Sequence, residues 1–194
     1  MNYRKEYEKY VKILDQRLKP QRFVHSLQVA LEAERLADMY GADRDKAYLA
    51  GLLHDITKNE TRDAQLQLFK QFGIILTDIE KNSDKLWHAI SGAAYIENVF
   101  KITDNDIITA VRYHTTARAG MSLFEQVLYI ADYTSADRTY NGADKMRELS
   151  RVSLKKAMEF ALSFTVTDLA ERCLPIHPDT IDAYNEIFLK KEEK

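Results

Sequence analysis

Three prolines, six glycines and one cysteine are all that this 194-residue sequence holds of the residues that turn, break or crosslink a chain. So few turn formers exclude a turn-rich all-β protein of this length. The lone Cys173 rules out an internal disulfide and fits a reducing compartment. No apolar run approaches the ~20 residues needed to span a bilayer, and Met1–Tyr7 has no apolar signal core. A cytoplasmic protein, not associated with membrane, is the expectation. Excess charge is also lacking: 28 basic residues stand against 30 acidic ones, a formal net charge of -2. No basic field, and no basic stripe interleaved with aromatics, points to nucleic acid. What remains is an ordinary globular composition, 45% hydrophobic and 30% charged, in a chain long enough for one domain with a real core.

That core has helical periodicity. Tyr7, Tyr10, Val11, Leu14 and Leu18 share one face of a helix over residues 3–18. Pro20 suits the first turn of a second helix that runs to Tyr40, with Gly41 as its C-terminal cap. Asp43 caps a third helix ending near His54-Asp55. Thr61 caps a helix over 62–72, closed by Gly73, and a short β-branched patch follows at 74–76. Further helices are expected over 84–99, from a Thr103 cap to Tyr113, and from Ser122 to Asp132. A helix or helix pair covers 144–173 after the Asn141-Gly142 turn, and Asp179 begins a last helix. With no repeat, linker or low-complexity tract, the sequence reads as a single all-α domain over residues 1–194, its core at about 10–188, with Lys190–Lys194 as a frayed tail.

The informative stretch is Leu52-Leu53-His54-Asp55-Ile56-Thr57-Lys58. An apolar run from Ala47 is interrupted by an imidazole and a carboxylate side by side. Burying both without partners costs several kcal/mol, roughly. Neighbours on a helix point about 100° apart, so the two converge on one ion only if the helix ends there. The chain has five histidines, and His25, His54, His88 and His114 all lie beside core-facing positions, as does Asp132. If all were plain core residues, each would need its own hydrogen-bond partner. Imidazole and carboxylate without thiolate suit Fe, Mn, Co or Zn and argue against a structural zinc site.

The order His25, His54-Asp55, His88, His114, Asp132 resembles the HD-domain metal-dependent phosphohydrolase superfamily, which is all-helical. The resemblance narrows at Ile130-Ala131-Asp132-Tyr133, Asp137-Arg138 and Ile176-His177-Pro178-Asp179-Thr180 with Ala183-Tyr184-Asn185. These segments are similar to the bacterial symmetrical bis(5′-nucleosyl)-tetraphosphatase (YqeK-like) group over about residues 10–188. It implies an HD-domain helical bundle in which His25, His54, Asp55 and Asp132 bind one metal, and His88 and His114 a second metal or the phosphate. The implied cofactor is one or two transition-metal ions, Fe first, with Mn or Co as alternatives. The implied reaction is cleavage of diadenosine tetraphosphate to two ADP. In it a metal-bound hydroxide attacks a central phosphorus and Asp55 or Asp132 orients it. Lys58, His88, His114, Thr115 and Arg138 would hold phosphate oxygens, and the loop Pro175, Ile176, His177, Pro178, Asp179 and Thr180 would line the nucleoside.

Plain readings stand beside these. Lys58 can be a solvated lysine, and Arg138 can pair with Asp137 or Asp144 at the surface. Thr115 can be a helix-end hydroxyl, and Asp179 or Thr180 simply a cap. Tyr133, Tyr113 and Trp87 can stack on a base or belong to the core. An HD-type nucleotidase or cyclic-nucleotide phosphodiesterase is the alternative activity, and a non-catalytic HD regulatory module the alternative class. A homodimer is compatible with the resemblance.

Overall fold

The structure is a computed structural model that describes residues 3–189. It contains eleven α-helices and no strand among the described residues. They are α1 Glu8–Arg17, α2 Pro20–Tyr40, α3 Arg44–Leu53, α4 Arg62–Phe72, α5 Asp78–Lys81, α6 Trp87–Asn98, α7 Asn105–Tyr113, α8 Leu123–Thr134, α9 Ala143–Val152, α10 Leu154–Glu171 and α11 Pro178–Leu189. The tail expected at Lys190–Lys194 lies outside the described residues.

Local chemistry sets most boundaries. Pro20 occupies the first turn of α2, where its missing N–H has no helical partner to lose. Gly41 ends that helix at φ 79°, a conformation that costs a side-chain-bearing residue energy. Asp43, Thr61 and Ser122 each accept backbone N–H groups at the starts of α3, α4 and α8. Two expectations need correction, the 144–173 segment proves to be the helix pair, and one short helix is new. The cap of α7 is Asp104, not Thr103, because its carboxylate accepts from Asp106 N–H. The first helix begins at Glu8, behind a 3-10 turn over Lys5–Tyr7. Ser153 is extended, with φ -161°, and divides 144–173 into α9 and α10 while capping α10. The short α5 follows the 74–76 patch, held by a reciprocal Thr77–Glu80 capping box.

One apolar cluster runs from Tyr10 in α1 to Ala183 in α11. Its centre is α2, which packs against α3 and α8. The α2–α3 approach is unusually close: a Cβ on Gly51 would lie 2.8 Å from Ala30 Cα and 2.9 Å from Val29 O. Only glycine fits that crossing, and the crossing brings His25 of α2 beside the end of α3. A smaller cluster of Phe69, Trp87 and Ile90 fills the space under α4 and α6. Trp87 is core, 2% exposed, with its indole N–H donating to Glu80 O at 2.6 Å.

Candidate metal centre

Helix α3 stops at Leu53, and the next residues turn through backbone bonds from Ile56 N–H to Leu53 O and from Lys58 N–H to Asp55 O. This tightened last turn is what lets adjacent His54 and Asp55 point at one place, both almost fully buried. The carbonyls of a last helical turn have no intrahelical donor. His54 uses one: its Nδ1–H donates to Gly51 O at 2.7 Å. His114, in the same position after α7, donates Nδ1–H to Val111 O at 2.7 Å. In each case the main chain fixes the tautomer and leaves Nε2 as a bare lone pair directed inward. His25 reaches the same state through a side chain, with Nδ1 2.8 Å from Asp137 Oδ2.

The freed nitrogens converge on two carboxylates. His54 Nε2 lies 3.3 Å from Asp55 Oδ2, and His25 Nε2 is 4.0 Å from that oxygen and 3.0 Å from Asp132 Oδ1. His88 Nε2 lies 3.1 Å and His114 Nε2 3.7 Å from Asp55 Oδ1, with 3.2 Å between the two nitrogens. Three overlapping groups, His25–His54–Asp55, His54–His114–Asp132 and Asp55–His88–His114, each keep their donor atoms within 4.8 Å of one another. The structure therefore brings together all six residues singled out from the sequence. His54 Nε2 and Asp55 Oδ1 are buried with no hydrogen-bond partner among the described residues. Facing lone pairs, orphaned acceptors and an all-nitrogen-and-oxygen donor set fit a divalent cation.

The electrostatics agree. Burial alone would raise Asp55, but the imidazoles of His54, His114 and His88 outweigh it and hold its carboxyl well below the usual range. Asp132 is held low against its own burial by the His25 hydrogen bond and by Arg138. Burial keeps His54 neutral and pushes His88 down to about 4, despite the attraction of Asp55. His25 goes the other way: burial would lower its pKa, but hydrogen bonds to Asp132 and Asp137 outweigh burial and raise it. The centre thus presents two carboxylates with the neutral imidazoles of His54 and His88, protonation states that ligate metal.

Cations surround it. Lys58 Nζ lies 3.0 Å from His88 Nε2 and 3.9 Å from Asp55 Oδ1, and burial lowers its pKa. Arg138 donates from Nε to Asp132 O at 2.8 Å and from Nη2 to the Asp132 carboxylate. The surface pairs considered for it do not form, since Asp137 holds His25 and Asp144 accepts from Arg147. Two contributors escaped the sequence reading. Arg22 donates to Asp55 Oδ2 at 2.8 Å; its signal was its place one turn before His25. Asp137, which orients His25, stood in the Asp137-Arg138 pair, but only the arginine drew notice. Behind the centre, Thr57, Ser91 and Gln65 form a buried network that ties α4 and α6 to the 54–59 turn.

The 175–180 loop does not reach the centre. Pro175, His177 and Thr180 line a separate cavity of about 550 Å³ with Thr115 and Thr116, and Thr180 donates to Thr116 O at 2.7 Å. Ile176, Pro178 and Asp179 do not line it. Helix α11 starts at Pro178 rather than Asp179, and the acceptor for the Asp179 N–H is His177 Nδ1 at 3.1 Å, so neither Asp179 nor Thr180 is the cap. Thr115 also borders a hollow of about 230 Å³ over His114 and Asp132, walled by Tyr133, Tyr140 and Phe164. Its hydroxyl is buried without a partner among the described residues.

The family model described as HD domain matches residues 22–137, from Arg22 to Asp137. The chain is 34% identical over 184 residues to the "Bis(5′-nucleosyl)-tetraphosphatase, symmetrical" of Halalkalibacterium halodurans, covering 95% of this chain and 98% of that one. It is 33% identical over 178 residues to the protein of the same description from Bacillus subtilis, covering 92% and 95%. The chain belongs to the HD-domain family, in its symmetrical bis(5′-nucleosyl)-tetraphosphatase group. The HD fold here also matches a crystal structure from Clostridium acetobutylicum described as a predicted HD superfamily hydrolase involved in NAD metabolism. That match has a TM-score of 0.91 and 33% identity over 95% of this chain and 98% of that one. HD-domain hydrolases bind divalent metal, and the His/Asp cluster of this HD domain has the donors to hold it. No helix among the described residues is long and apolar enough to cross a membrane.

Proposed function

We propose that this HD-domain protein is a metal-dependent hydrolase that splits diadenosine tetraphosphate at its centre into two ADP. The observation that carries the reading is the inward convergence of four imidazole Nε2 atoms on Asp55 and Asp132, with His54 Nε2 and Asp55 Oδ1 otherwise orphaned. The relatives' shared description, at about a third identity over nearly the whole chain, supports the substrate.

In this reading His25, His54, Asp55 and Asp132 hold one ion, and His88 with His114 hold a second ion or a phosphate oxygen. Nitrogen and carboxylate donors without thiolate suit iron, manganese and cobalt alike, and the family resemblance puts iron first. A bound divalent ion supplies Lewis-acid polarisation of the phosphoryl group and a water acidic enough to act near neutral pH. The protein's own groups do the rest. Asp55 and Asp132, held as carboxylates, accept a hydrogen bond from the attacking water and aim it at phosphorus. Lys58 and Arg138 donate to non-bridging oxygens as charge builds on them, Arg138 through parallel bonds. The Thr115 hydroxyl provides one more donor at the cavity junction. ADP, its charge countered by these cations, leaves without a separate strong acid. The adjoining cavity behind Thr115 takes a nucleoside, with Pro175, His177 and Thr180 on its wall.

The continuous core from α1 to α11 supports reading residues 1–194 as a single domain. A single cysteine with no second one to form an internal disulfide supports a reducing, cytoplasmic location. A homodimer goes with the family resemblance, and light scattering tests it. The deciding experiment for the activity is product analysis on diadenosine tetraphosphate with iron, manganese or cobalt supplied. Two ADP is the expected result, and AMP plus ATP, or no turnover with any of the three metals, refutes the reading.

A further inference from the structure

A symmetrical substrate has two halves, and the cavity behind Thr115 accounts for one. A second recess, of about 770 Å³, opens on another side of the metal centre, between the start of α2 and the turn after α8. It borders His25 directly, and Arg138 lines both it and the hollow over Asp132, so one guanidinium faces both spaces. Both cavities fall in the size range of small-molecule sites, roughly 300–1,000 Å³.

Their chemistry differs. The cavity behind Thr115 is lined by Leu86, Leu169, Leu174 and Pro175 among polar groups. The recess has three cations, Lys19, Arg22 and Arg138, and no Phe, Tyr or Trp; its one ring, the His25 imidazole, belongs to the metal centre. Its one carboxylate, on Asp137, is already engaged by His25. Arg22 links recess and centre, since it lines the former and donates to Asp55 in the latter. A guanidinium carries five N–H donors, and the bond to Asp55 uses one.

Building on the tetraphosphatase reading, we propose that this recess binds the distal diphosphate of the substrate and does not read the nucleoside beyond it. The consequence is a further substrate class: nucleoside 5′-tetraphosphates, whose chain ends in a phosphate instead of a second nucleoside. Water adds one new P–O bond at a central phosphorus. The bridging P–O bond between the second and third phosphorus breaks. The products are a nucleoside diphosphate and pyrophosphate, with one proton released to solvent near neutral pH. No other reactant is consumed.

The test compares diadenosine tetraphosphate with adenosine 5′-tetraphosphate on the metal-supplemented full chain, with products identified by chromatography and phosphorus NMR. The expected result is ADP plus pyrophosphate from the second substrate, with kcat/KM within about tenfold of the first. Lys19→Glu, which alters the recess away from the metal centre, is expected to raise KM for both substrates about tenfold with little change in kcat. By calorimetry the same variant should bind pyrophosphate about tenfold more weakly while its metal content stays at the wild-type level. If diadenosine tetraphosphate gives two ADP but adenosine 5′-tetraphosphate is untouched, or yields ATP and orthophosphate, the subsite proposal is wrong and the parent reading stands. Unchanged pyrophosphate affinity in Lys19→Glu also overturns it. Failure to cleave diadenosine tetraphosphate would sink the parent reading instead.

Discussion

Replacing Gly51 by alanine tests whether the α2–α3 crossing builds the centre. The added methyl would sit 2.8 Å from Ala30 Cα, 2.9 Å from Val29 O and 3.0 Å from Ala30 N, all of them main-chain atoms that cannot swing aside. Ordinary contact begins near 3.4 Å, so the helices must separate by at least 0.6 Å. Overpacking of this kind costs about 1–3 kcal/mol, against which alanine returns up to ~1 kcal/mol of helix propensity. A net loss of about 1–2 kcal/mol corresponds to a fall in Tm of roughly 2–8 °C for a chain of this size. The separation also moves His25 away from Asp55, and displaces the Gly51 carbonyl that holds His54 Nδ1, so metal affinity falls with stability. Gly92 is the control. A methyl there meets Thr57 Oγ1 at 3.5 Å and His54 O at 3.6 Å, which is normal packing. Gly92→Ala should be neutral, or stabilising by up to ~1 kcal/mol. Calorimetric melts and metal titrations of the two variants decide the matter. A Gly51→Ala protein as stable and as metal-avid as Gly92→Ala would refute the close-crossing argument.

Three further outcomes are expected. Metal supplied at about 100 times its Kd should stabilise the metal-stripped protein by about 2.7 kcal/mol, and Asp55→Ala, which removes the shared carboxylate, should abolish that gain in a thermal melt. Asp137→Asn should weaken metal binding about 10–100-fold, as loss of a group that orients a ligand does, while leaving the melt of the metal-free protein within about 1 kcal/mol of wild type, since Asp137 lies at the surface. Glu80 gives a pH test away from the centre. Burial alone would raise it, but the Thr77 amide and hydroxyl and the Arg112 guanidinium outweigh burial and lower its pKa. A depressed carboxyl stabilises the fold above its unfolded value and loses that contribution as pH falls through the folded one. Glu80→Gln should therefore cost roughly 1.5–3 kcal/mol at pH 7, and the gap from wild type in urea melts should close below pH 4.5. A gap that persists in acid would contradict this.

The helical skeleton was legible because its punctuation is local. Pro20, Gly41 and Gly73, and the caps Asp43, Thr61 and Ser122, act on backbone groups within four residues, and each does so here. The Thr77–Glu80 box is equally local, a Thr-x-x-Glu spacing that acts within one turn. Ser153 was harder to read, since a serine inside a helical pattern is as often a solvated side chain as a break, and apolar spacing continues across it. At the centre, imidazoles and carboxylates beside apolar positions announced themselves by the cost of burying them. Arg22 and Asp137 did not, because each is half-exposed and has an ordinary surface reading. Their roles come from the partners they meet 33 and 112 residues away. The 175–180 loop shows the opposite limit. Its resemblance pointed to a nucleoside wall, but only the fold reveals that its histidine turns back to accept the Asp179 amide.

Two of the inward nitrogens, on His54 and His114, are aimed by peptide carbonyls three residues behind them. A peptide carbonyl is supplied by every amino acid, so no exchange of a neighbouring side chain can delete it. Sequence drift around these two histidines therefore leaves their aim intact as long as the helix ends keep their shape. His25 has no such insurance, because its aim depends on the identity of one residue far along the chain. Among the imidazoles aimed through Nδ1, only His25 can therefore be re-aimed by exchanging one distant side chain, at position 137.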